Sequence, residues 1–554
     1  MAGVARYRDL GNRLEELKAR SGHSYSGIGR KIHLSKSAVH RYCTGLSAPK
    51  EFGVVERIAL TCGASRDEIV ALHRLWLRAT APAGEVAEGA VPETAPVPSE
   101  AEPRHAPAEP ARFPRRRRRW LVPGIVTAMA GFLAFLLVSS TAGSGPAEDA
   151  QAQRIGGPAW KLPPAPVPST FFGVTINSAT GRMPSFHVGA VRFWDGGTRW
   201  SEVQRLRGEF DWATLDRLVT GAEEADLPSL FVFGGTPRWA SPNGPAGPYP
   251  EGTPAPPVDL ADWELFVSSV VNRYRGRIDA YELWVLANDR RFFAGTVETL
   301  VDMTRRAAAI IRSRDPGATV VCPGMGQLWT PEGVSFLRRF ADLNGYDQCD
   351  VASVKLFQKS ASDPPESMLE LTATIDRVMH EAGVHPRLWN TGTTYSIATQ
   401  APLDEVTARN HAVRFFLVGL YARKVNLERM YFYNWGGTRV PIVLQPVGGT
   451  PTAAALAVEV LQRWLHRAQS RSCGQGTPSG LPENVWRCEF TVIEPERTYD
   501  AAVVWADRGA ATLTASAGTR RLHRLDGTEE PVQPGDPIAV SEEPVLVVSD
   551  PAGR

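Results

Sequence analysis

The charge-free, largely apolar run Leu121–Ala142 constrains the fold of this 554-residue chain more than any other stretch. As a helix it would be long enough to cross a hydrocarbon core of roughly 30 Å. It lies too far from the N-terminus, and is too long, for a cleaved signal peptide. The five arginines Arg115–Arg119 precede it, and the positive-inside rule places that end in the cytoplasm. The sequence therefore predicts a single-pass membrane protein with residues 1–119 in the cytoplasm and 143–554 outside.

The six cysteines divide between the same two sides. The two that precede the span are expected to be free thiols. The four that follow it are even in number and would lie in an oxidising compartment. We expect Cys473 to pair with Cys488 and Cys322 with Cys349, and four separate buried thiols are the alternative.

Residues 1–79 carry 14 Lys and Arg residues but only 7 Asp and Glu residues. Their apolar periodicity predicts a compact bundle of about five helices. A short helix over 24–32 is followed by a tight turn and a polar helix, Lys36–Thr44. Ser35 is placed to cap this polar helix and Gly45 to end it. This arrangement is typical of a helix-turn-helix.

The stretch Ser35–Tyr42, followed by Gly45 and Pro49, resembles the recognition helix of Cro/C1-type repressors, in the form common in actinobacterial regulators. In such proteins the N-terminal residues of that helix face the major groove of DNA, and nearby cations contact phosphates. The base-facing candidates are Ser35, Lys36, Ser37 and His40, and the phosphate-contacting candidates are Arg30, Lys31 and Arg41. A small helical bundle that binds protein is the alternative.

Residues 80–119 are rich in Ala, Pro and Glu and predict a disordered linker that ends in the arginine cluster. A transmembrane helix is predicted over 120–142 and a second linker, outside the membrane, over 143–168. The arginines are a topology signal, and binding to anionic lipid is a sharper alternative. A homodimer would match a two-fold operator, but the glycines of the span do not form a close-packing dimer motif.

Strands and helices alternate regularly over residues 169–470, and helical crossovers between eight strands are typical of a (β/α)8 TIM barrel. In that fold the site lies at the carboxyl ends of the strands. The predicted strands are Phe171–Ile176, Ala190–Trp194, Ser229–Phe233, Ala280–Val285, Thr319–Cys322, Val351–Phe357, Arg387–Thr391 and Met430–Asn434. Residues 471–554 alternate apolar and polar side chains between turns, which predicts a C-terminal β-sandwich. The predicted fold class is therefore multidomain: an all-α helix-turn-helix bundle, a single transmembrane helix, and the barrel with its sandwich.

The ends of the barrel strands resemble those of retaining glycoside hydrolases of the large (β/α)8 clan. The matching stretches are Val191–Asp195, Phe210–Trp212, Thr236–Ala240, Tyr281–Asn288, Arg387–Tyr395 and Tyr433–Trp435. In that clan one Glu after strand four is the acid/base and one Glu at strand seven is the nucleophile, about 5–5.5 Å apart. Leu286 and Gly392 stand at these two positions here. The resemblance thus implies a barrel without its catalytic carboxylates.

Other residues at the strand ends are candidates for glycan binding. Glu282 lies four residues before Leu286 and is expected to sit deeper in the barrel, paired with Arg192. Arg290 and Arg291 suggest binding of an anionic sugar, with surface charge as the alternative. The tryptophans are candidates for sugar stacking, although aromatic residues also fill cores. The glycan-binding candidates are Arg192, Trp194, Asp195, Trp239, Trp284, Asn288, Trp389, Tyr395 and Trp435.

These features predict a membrane-anchored one-component transcriptional regulator. It would bind DNA in the cytoplasm, and its catalytically inactive outer domain would bind or sense glycan, such as cell-envelope polysaccharide. One alternative is an active glycoside hydrolase that uses displaced carboxylates, namely Asp195, Asp289 or Glu282. Another is a structural envelope protein. No metal site and no cofactor are predicted.

Overall fold

The computed structural model describes residues 7–80, except 33, 35, 50 and 51, and residues 157–551, except 158 and 395. These two stretches belong to two compact units, which are described separately. The predicted arginine cluster and membrane span, and most of the two predicted linkers, lie outside the described residues. Within the described stretches, no helix is both long and apolar enough to cross a membrane.

Residues 7–80 of the first unit form a bundle of five helices around one apolar core. Leu10, Leu14 and Leu17 recur at helical spacing on the first helix and are all buried. The first helix approaches the end of the third very closely, because a Cβ atom at Gly11 would lie 2.3 Å from the backbone nitrogen of Gly45. The helices are Arg8–Ser21, Tyr25–Ile32, Lys36–Cys43, Phe52–Thr61 and Arg66–Thr80. Lys36–Cys43 is called the recognition helix below.

The second unit contains a closed barrel of eight parallel strands, each paired with its neighbours in sequence, and the eighth closes onto the first. The strands are Phe172–Ile176, Ala190–Phe193, Ser229–Val232, Ala280–Glu282, Thr319–Val321, Val351–Val354, Arg387–Asn390 and Leu427–Trp435. The long helices between and after them are Ala213–Glu224, Leu260–Arg273, Val297–Arg314, Pro331–Asp342, Met368–Glu381, Glu405–Tyr421 and Ala453–Trp464. All eight predicted strands are present, but the fourth ends at Glu282 and not at Val285, and the sixth ends at Val354 and not at Phe357.

Side chains inside the barrel form layers, because alternate residues of a strand point to the same side. The lower layer is apolar and includes Ala190, Ala280 and Val351. Two residues further along the same strands come Arg192, Glu282 and Ser353, all buried. The barrel interior therefore changes from apolar to charged toward the carboxyl ends of the strands, where the candidate site lies.

The chain after the barrel, joined by one strand from before it, forms a seven-stranded sheet and a two-stranded sheet, with a small apolar core of their own. In sheet order the seven strands are Ala159–Pro166, Ala468–Gln475, Val485–Ile493, Thr498–Ala506, Val545–Ser549, Thr519–His523 and Glu529–Pro531. The two-stranded sheet pairs Ala510–Thr514 with Pro537–Ser541. The linker prediction is wrong over Ala159–Pro166, because this segment is an edge strand that pairs with Ala468–Gln475. The predicted boundary at 470/471 falls inside that second strand.

The cysteines adopt the expected states. Cys322 is bonded to Cys349, and Cys473 is bonded to Cys488 across two neighbouring strands. Cys43 and Cys62 are free and buried. Burial raises the pKa of the Cys43 thiol to about 12, so this thiol is a core residue and not a reactive group.

Candidate functional site

The recognition helix presents a polar, cationic face. Its residues Lys36, Ser37, His40 and Arg41 are exposed, while Val39 is fully buried against the other helices. Arg30 and Lys31, at the end of the preceding helix, are exposed as well. Six of the seven DNA-binding candidates therefore lie on accessible surface, and the seventh, Ser35, lies outside the described residues.

Contacts between helices hold this face in place. The His40 ring packs edge-on against Tyr25, with ring centroids 5.0 Å apart. The Tyr25 hydroxyl donates to Oε2 of Glu15 at 2.8 Å. The recognition helix is thereby fixed to the helix before it and to the first helix. A rigid helix with exposed short and cationic side chains fits a groove-reading element.

In the second unit, a cavity of about 320 Å³ opens at the carboxyl ends of the barrel strands. Residues that follow the second, third, fourth, sixth and seventh strands converge on it, together with Tyr433 of the eighth. Its lining includes Arg192, Trp194, Asp195, Tyr249, Val285, Leu286, Asp289, Arg291, Phe292, Lys355, Phe357, Thr391, Gly392, Thr393, Thr394 and Tyr433.

A buried charge cluster forms the floor of the cavity. Nε of Arg192 donates to Oε2 of Glu282 at 2.8 Å, which confirms the expected pair. Nζ of Lys355 lies 3.2 Å from Oε1 of the same carboxylate, and Lys355 also donates to Thr391. Burial alone would raise the pKa of Glu282, but Arg192 and Lys355 outweigh it and hold that pKa below its usual value. Glu282 is therefore an ionised group that links Arg192 and Lys355.

Asp195 forms one wall of the cavity. Its Oδ2 accepts a hydrogen bond of 2.5 Å from the Tyr433 hydroxyl, and its Oδ1 accepts one of 3.2 Å from Tyr249. Nε1 of Trp194 in turn donates to the Tyr249 hydroxyl at 3.0 Å. Burial, and then the charge of Asp195, raises the pKa of Tyr433 well above its usual value. Both phenols therefore stay protonated and act as donors to this carboxylate.

Asp289 is held within its own loop. It forms an ion pair with Arg291 at 2.6 Å and accepts from Nε2 of Gln327 at 2.8 Å. The Arg291 backbone N–H also donates to Asp289 at 3.0 Å. Asp289 therefore stabilises the loop after the fourth strand through these contacts. Arg291 is thus already paired with a carboxylate.

Leu286 and Gly392, where the sequence resemblance predicts the clan's catalytic residues, both line the cavity. Leu286 has a positive φ of 41° and is half-buried. Gly392 lies against the ring of Phe357, and a Cβ atom at Gly392 would be 2.3 Å from Cε1 of that ring. Neither Leu286 nor Gly392 can transfer a proton. The carboxylates that line the cavity are Asp195 and Asp289.

The aromatic candidates are dispersed. Trp194 lines the cavity, whereas the lining does not include the other four tryptophans. Trp284 is buried and its Nε1 donates to the Phe292 carbonyl at 3.0 Å, while Trp389 belongs to the lower layer of the barrel. Trp239 donates to the Gln204 carbonyl at 2.9 Å, and Trp435 donates to Gln445 at 2.9 Å.

Asn288 does not line the cavity either. Asn288 binds the backbone of Gly326 through both its amide oxygen and its amide nitrogen, which fixes the loop after the fourth strand. Tyr395 lies outside the described residues.

Sequence reasoning missed Phe357 and Tyr249. Phe357 lies just beyond the sixth strand, and this position was the only sign in the sequence that its side chain could line the cavity.

Both units are similar to known proteins. Residues 9–72 match a family of helix-turn-helix domains. No curated protein matches the chain. A family 39 glycoside hydrolase from the gut symbiont Bacteroides cellulosilyticus WH2 is similar in structure, with a TM-score of 0.53 at 15% identity over 69% of this chain and 81% of that one.

Two further solved structures are similar at TM-scores of 0.49. One is a glucosidase from Croceicoccus marinus, at 14% identity over 71% of this chain and 98% of that one. The other is the GH39 enzyme from Xanthomonas axonopodis pv. citri, at 15% identity over 70% and 96%. At these identities the likeness shows the fold alone. The chain therefore combines an N-terminal helix-turn-helix domain with a glycoside-hydrolase-like barrel.

Proposed function

We propose that this protein is a membrane-anchored transcriptional regulator whose outer unit binds glycan without hydrolysing it. The observation that carries the proposal is the cavity at the barrel mouth. It has the position of a glycosidase site, but Leu286 and Gly392 supply no carboxyl group there, and Phe357 fills the space beside Gly392.

The carboxylates around the cavity do not form the pair that hydrolysis needs. Retaining hydrolysis needs one carboxyl group free to exchange a proton and a second free to attack the sugar. Glu282 is fully buried between Arg192 and Lys355, and Asp289 is paired with Arg291. Asp195 is left as a single carboxylate, held by two phenols. One such group does not make the required pair.

Binding of glycan is supported by the mixed lining of the cavity. Trp194, Leu286 and Phe357 offer apolar contact, and Asp195, Arg192 and the hydroxyls of Thr391, Thr393 and Thr394 offer hydrogen bonds. Ligand sites commonly combine a mostly apolar wall with a few placed polar groups. The experiment is to screen the purified outer unit against glycans by thermal shift, following product release in the same samples. A shift without product supports the proposal, and product release would favour the hydrolase alternative.

Binding of DNA is supported by the family match over residues 9–72 and by the exposed cationic face of the recognition helix. The test is selection from random duplexes with residues 1–80, followed by titration of the enriched sequence. Enrichment of one sequence supports the regulator. Failure to bind any duplex at low salt would favour the alternative of a structural envelope protein.

The membrane position of the protein rests on the run Leu121–Ala142 and the arginines before it. The test is to treat intact spheroplasts with a protease added outside. We expect the outer unit to be digested and residues 1–80 to be protected. Protection of both units would contradict the proposed topology.

A further inference from the structure

We infer that the cavity takes a neutral saccharide ring, with the ring's C–H face on Phe357 and its hydroxyl groups on Asp195 and Arg192. This inference rests on the proposed glycan binding and narrows it to a ligand class. It opposes the expectation that Arg290 and Arg291 recruit an anionic sugar.

The charges around the cavity leave no cation free for an anionic ligand. Three basic side chains, Arg192, Arg291 and Lys355, line it. Arg291 is paired with Asp289 at 2.6 Å, and the other two share Glu282. Asp195, also in the lining, adds a third carboxylate, so the basic side chains do not outnumber the carboxylates around them. A ligand carboxylate in this cavity would find no uncompensated cation, and a buried unpaired charge is costly.

The surroundings of Asp195 make an anion still less favourable. Arg199 lies 3.9 Å from Asp195. This guanidinium, however, already contacts Glu202 at 2.6 Å and Glu251 at 2.6 Å. Two carboxylates therefore compete for the one cation behind this wall. With Asp195, three carboxylates surround one guanidinium on that side of the cavity, which disfavours a further anion there.

Arg192 and Asp195 also carry hydrogen-bonding groups that suit a saccharide. Arg192 is 1% exposed and lines the cavity. Its Nη2 atom is buried and has no hydrogen-bond partner among the described residues. A buried donor without an acceptor costs free energy, so a shift of this guanidinium toward a sugar hydroxyl oxygen in the cavity would be favourable. Asp195 offers the complementary acceptor for a hydroxyl proton.

Part of the cavity lining is apolar, which also suits a saccharide ring. Phe357 is half-buried and lies over Gly392, so one face of the cavity is aromatic where the clan's pattern would place a carboxylate. Leu286 and Val285 add aliphatic surface to the lining. An aromatic ring stabilises an apolar face by burial and dispersion. A saccharide ring, with C–H groups on one side and hydroxyls at its edge, matches both surfaces.

The test compares matched ligands on the intact outer unit. Methyl glucoside, galactoside and mannoside are each titrated against the corresponding methyl uronide, which differs only in carrying a carboxylate at C6. For the pair that binds, we expect the neutral member to bind at least about tenfold more tightly, the equivalent of roughly 1.4 kcal/mol. A uronide that binds equally well or better would overturn the preference for a neutral saccharide and leave the proposed glycan binding standing. Absence of binding by every saccharide would overturn it together with the proposed glycan binding.

Two variants separate the contribution of the Asp195 charge from that of the Phe357 surface. Asp195→Asn keeps the shape of the wall but removes its charge, so the preference for the neutral ligand should shrink. Phe357→Leu should weaken the neutral ligand several-fold without changing that preference. Arg290→Gln is the matched control, because Arg290 is exposed and outside the cavity lining. A preference unchanged in Asp195→Asn would show that the charge argument is wrong.

Discussion

Phe357 lies directly against Gly392, so closely that a Cβ atom at position 392 would be 2.3 Å from the ring. The neighbouring ring requires glycine here, because a Cβ atom would lie 2.3 Å, 3.1 Å and 3.2 Å from Cε1, Cδ1 and Cζ of Phe357. The two residues therefore form one packed unit in the wall of the cavity, at the position where the clan's pattern has a nucleophile.

Gly392→Ala tests this contact. We expect the substitution to lower the free energy of unfolding by about 1–3 kcal/mol, because the added methyl group overpacks a closed site. The loss should be smaller in a Phe357→Ala background, and chemical denaturation of the four proteins of this double-mutant cycle measures the difference. Gly317→Ala is the control, since a Cβ atom there meets nothing within 4 Å. Equal losses in both backgrounds would contradict the contact.

The double variant Leu286→Glu with Gly392→Glu should remain inactive on aryl glycosides. Phe357 occupies the space that a side chain at position 392 needs, and Leu286 holds a positive φ of 41° that side chains rarely adopt. The two new carboxylates would therefore not reach the spacing that retaining hydrolysis requires. Release of aryl alcohol is the measurement. Turnover by this variant would show that the cavity keeps the geometry of an active site.

Glu282→Gln should be strongly destabilising. The substitution leaves Arg192 and Lys355 buried without their shared negative charge. Removing one partner of a buried ion pair costs about 3–5 kcal/mol. Glu489→Gln is a suitable control, because Glu489 is a partly exposed carboxylate with a single arginine contact at 3.3 Å. Comparable melting temperatures for the two variants would exclude a structural role for the floor cluster.

The stability of the outer unit should rise with pH between about 7 and 9. Burial, followed by the charge of Arg192, lowers the pKa of Lys355 from 10.5 to about 7. Between these values the unfolded chain binds a proton that the folded protein does not, so the free energy of unfolding increases with pH. Below the folded pKa, both states are protonated and this contribution stops changing.

Lys355→Met should flatten that rise, and Lys359→Met, at an exposed position, should leave it unchanged. Lys424, whose pKa burial also lowers, contributes equally to all three proteins. Urea titrations at several pH values measure the slopes. A slope in Lys355→Met that equals the wild-type slope would mean that Lys355 is charged in the folded protein throughout this range.

In the first unit, Arg30→Ala and Arg41→Ala should each weaken DNA binding similarly for all sequences. Each should also reduce the slope of log affinity against log salt by about 1, as expected for lost phosphate contacts. Lys36→Ala should instead relax sequence preference. Arg13→Ala, a change on the first helix where Arg13 already pairs with Glu16 at 2.6 Å, is the charge-matched control. A salt slope that all variants share would place the DNA on another surface.

The order of elements was predictable because strands and helices of the barrel carry different periods of apolar residues. The recognition helix was predictable from its cap, its polar face and its terminal glycine. The edge strand Ala159–Pro166 was not, since its three prolines and exposed side chains resemble a linker, and only its distant partner Ala468–Gln475 makes it a strand.

The candidate site was predictable in position but not in detail. The buried pair Arg192 and Glu282 follows from strand periodicity, because both residues lie within regular strands. The fourth strand ends at Glu282, so periodicity gives no direction for the side chains after it. Trp284 accordingly packs in the core, and Phe357 enters the cavity from a loop.

Calorimetric titration of the outer unit with a neutral glycan found by the screen, with chromatography of the same sample afterwards, tests the central claim most directly. The account predicts heat of binding at a single site and the glycan recovered intact after prolonged incubation. The same titration of Asp195→Asn should show weaker binding. Shortened glycan in the wild-type sample, absent from the Asp195→Asn sample, would show that the barrel is an enzyme that uses Asp195.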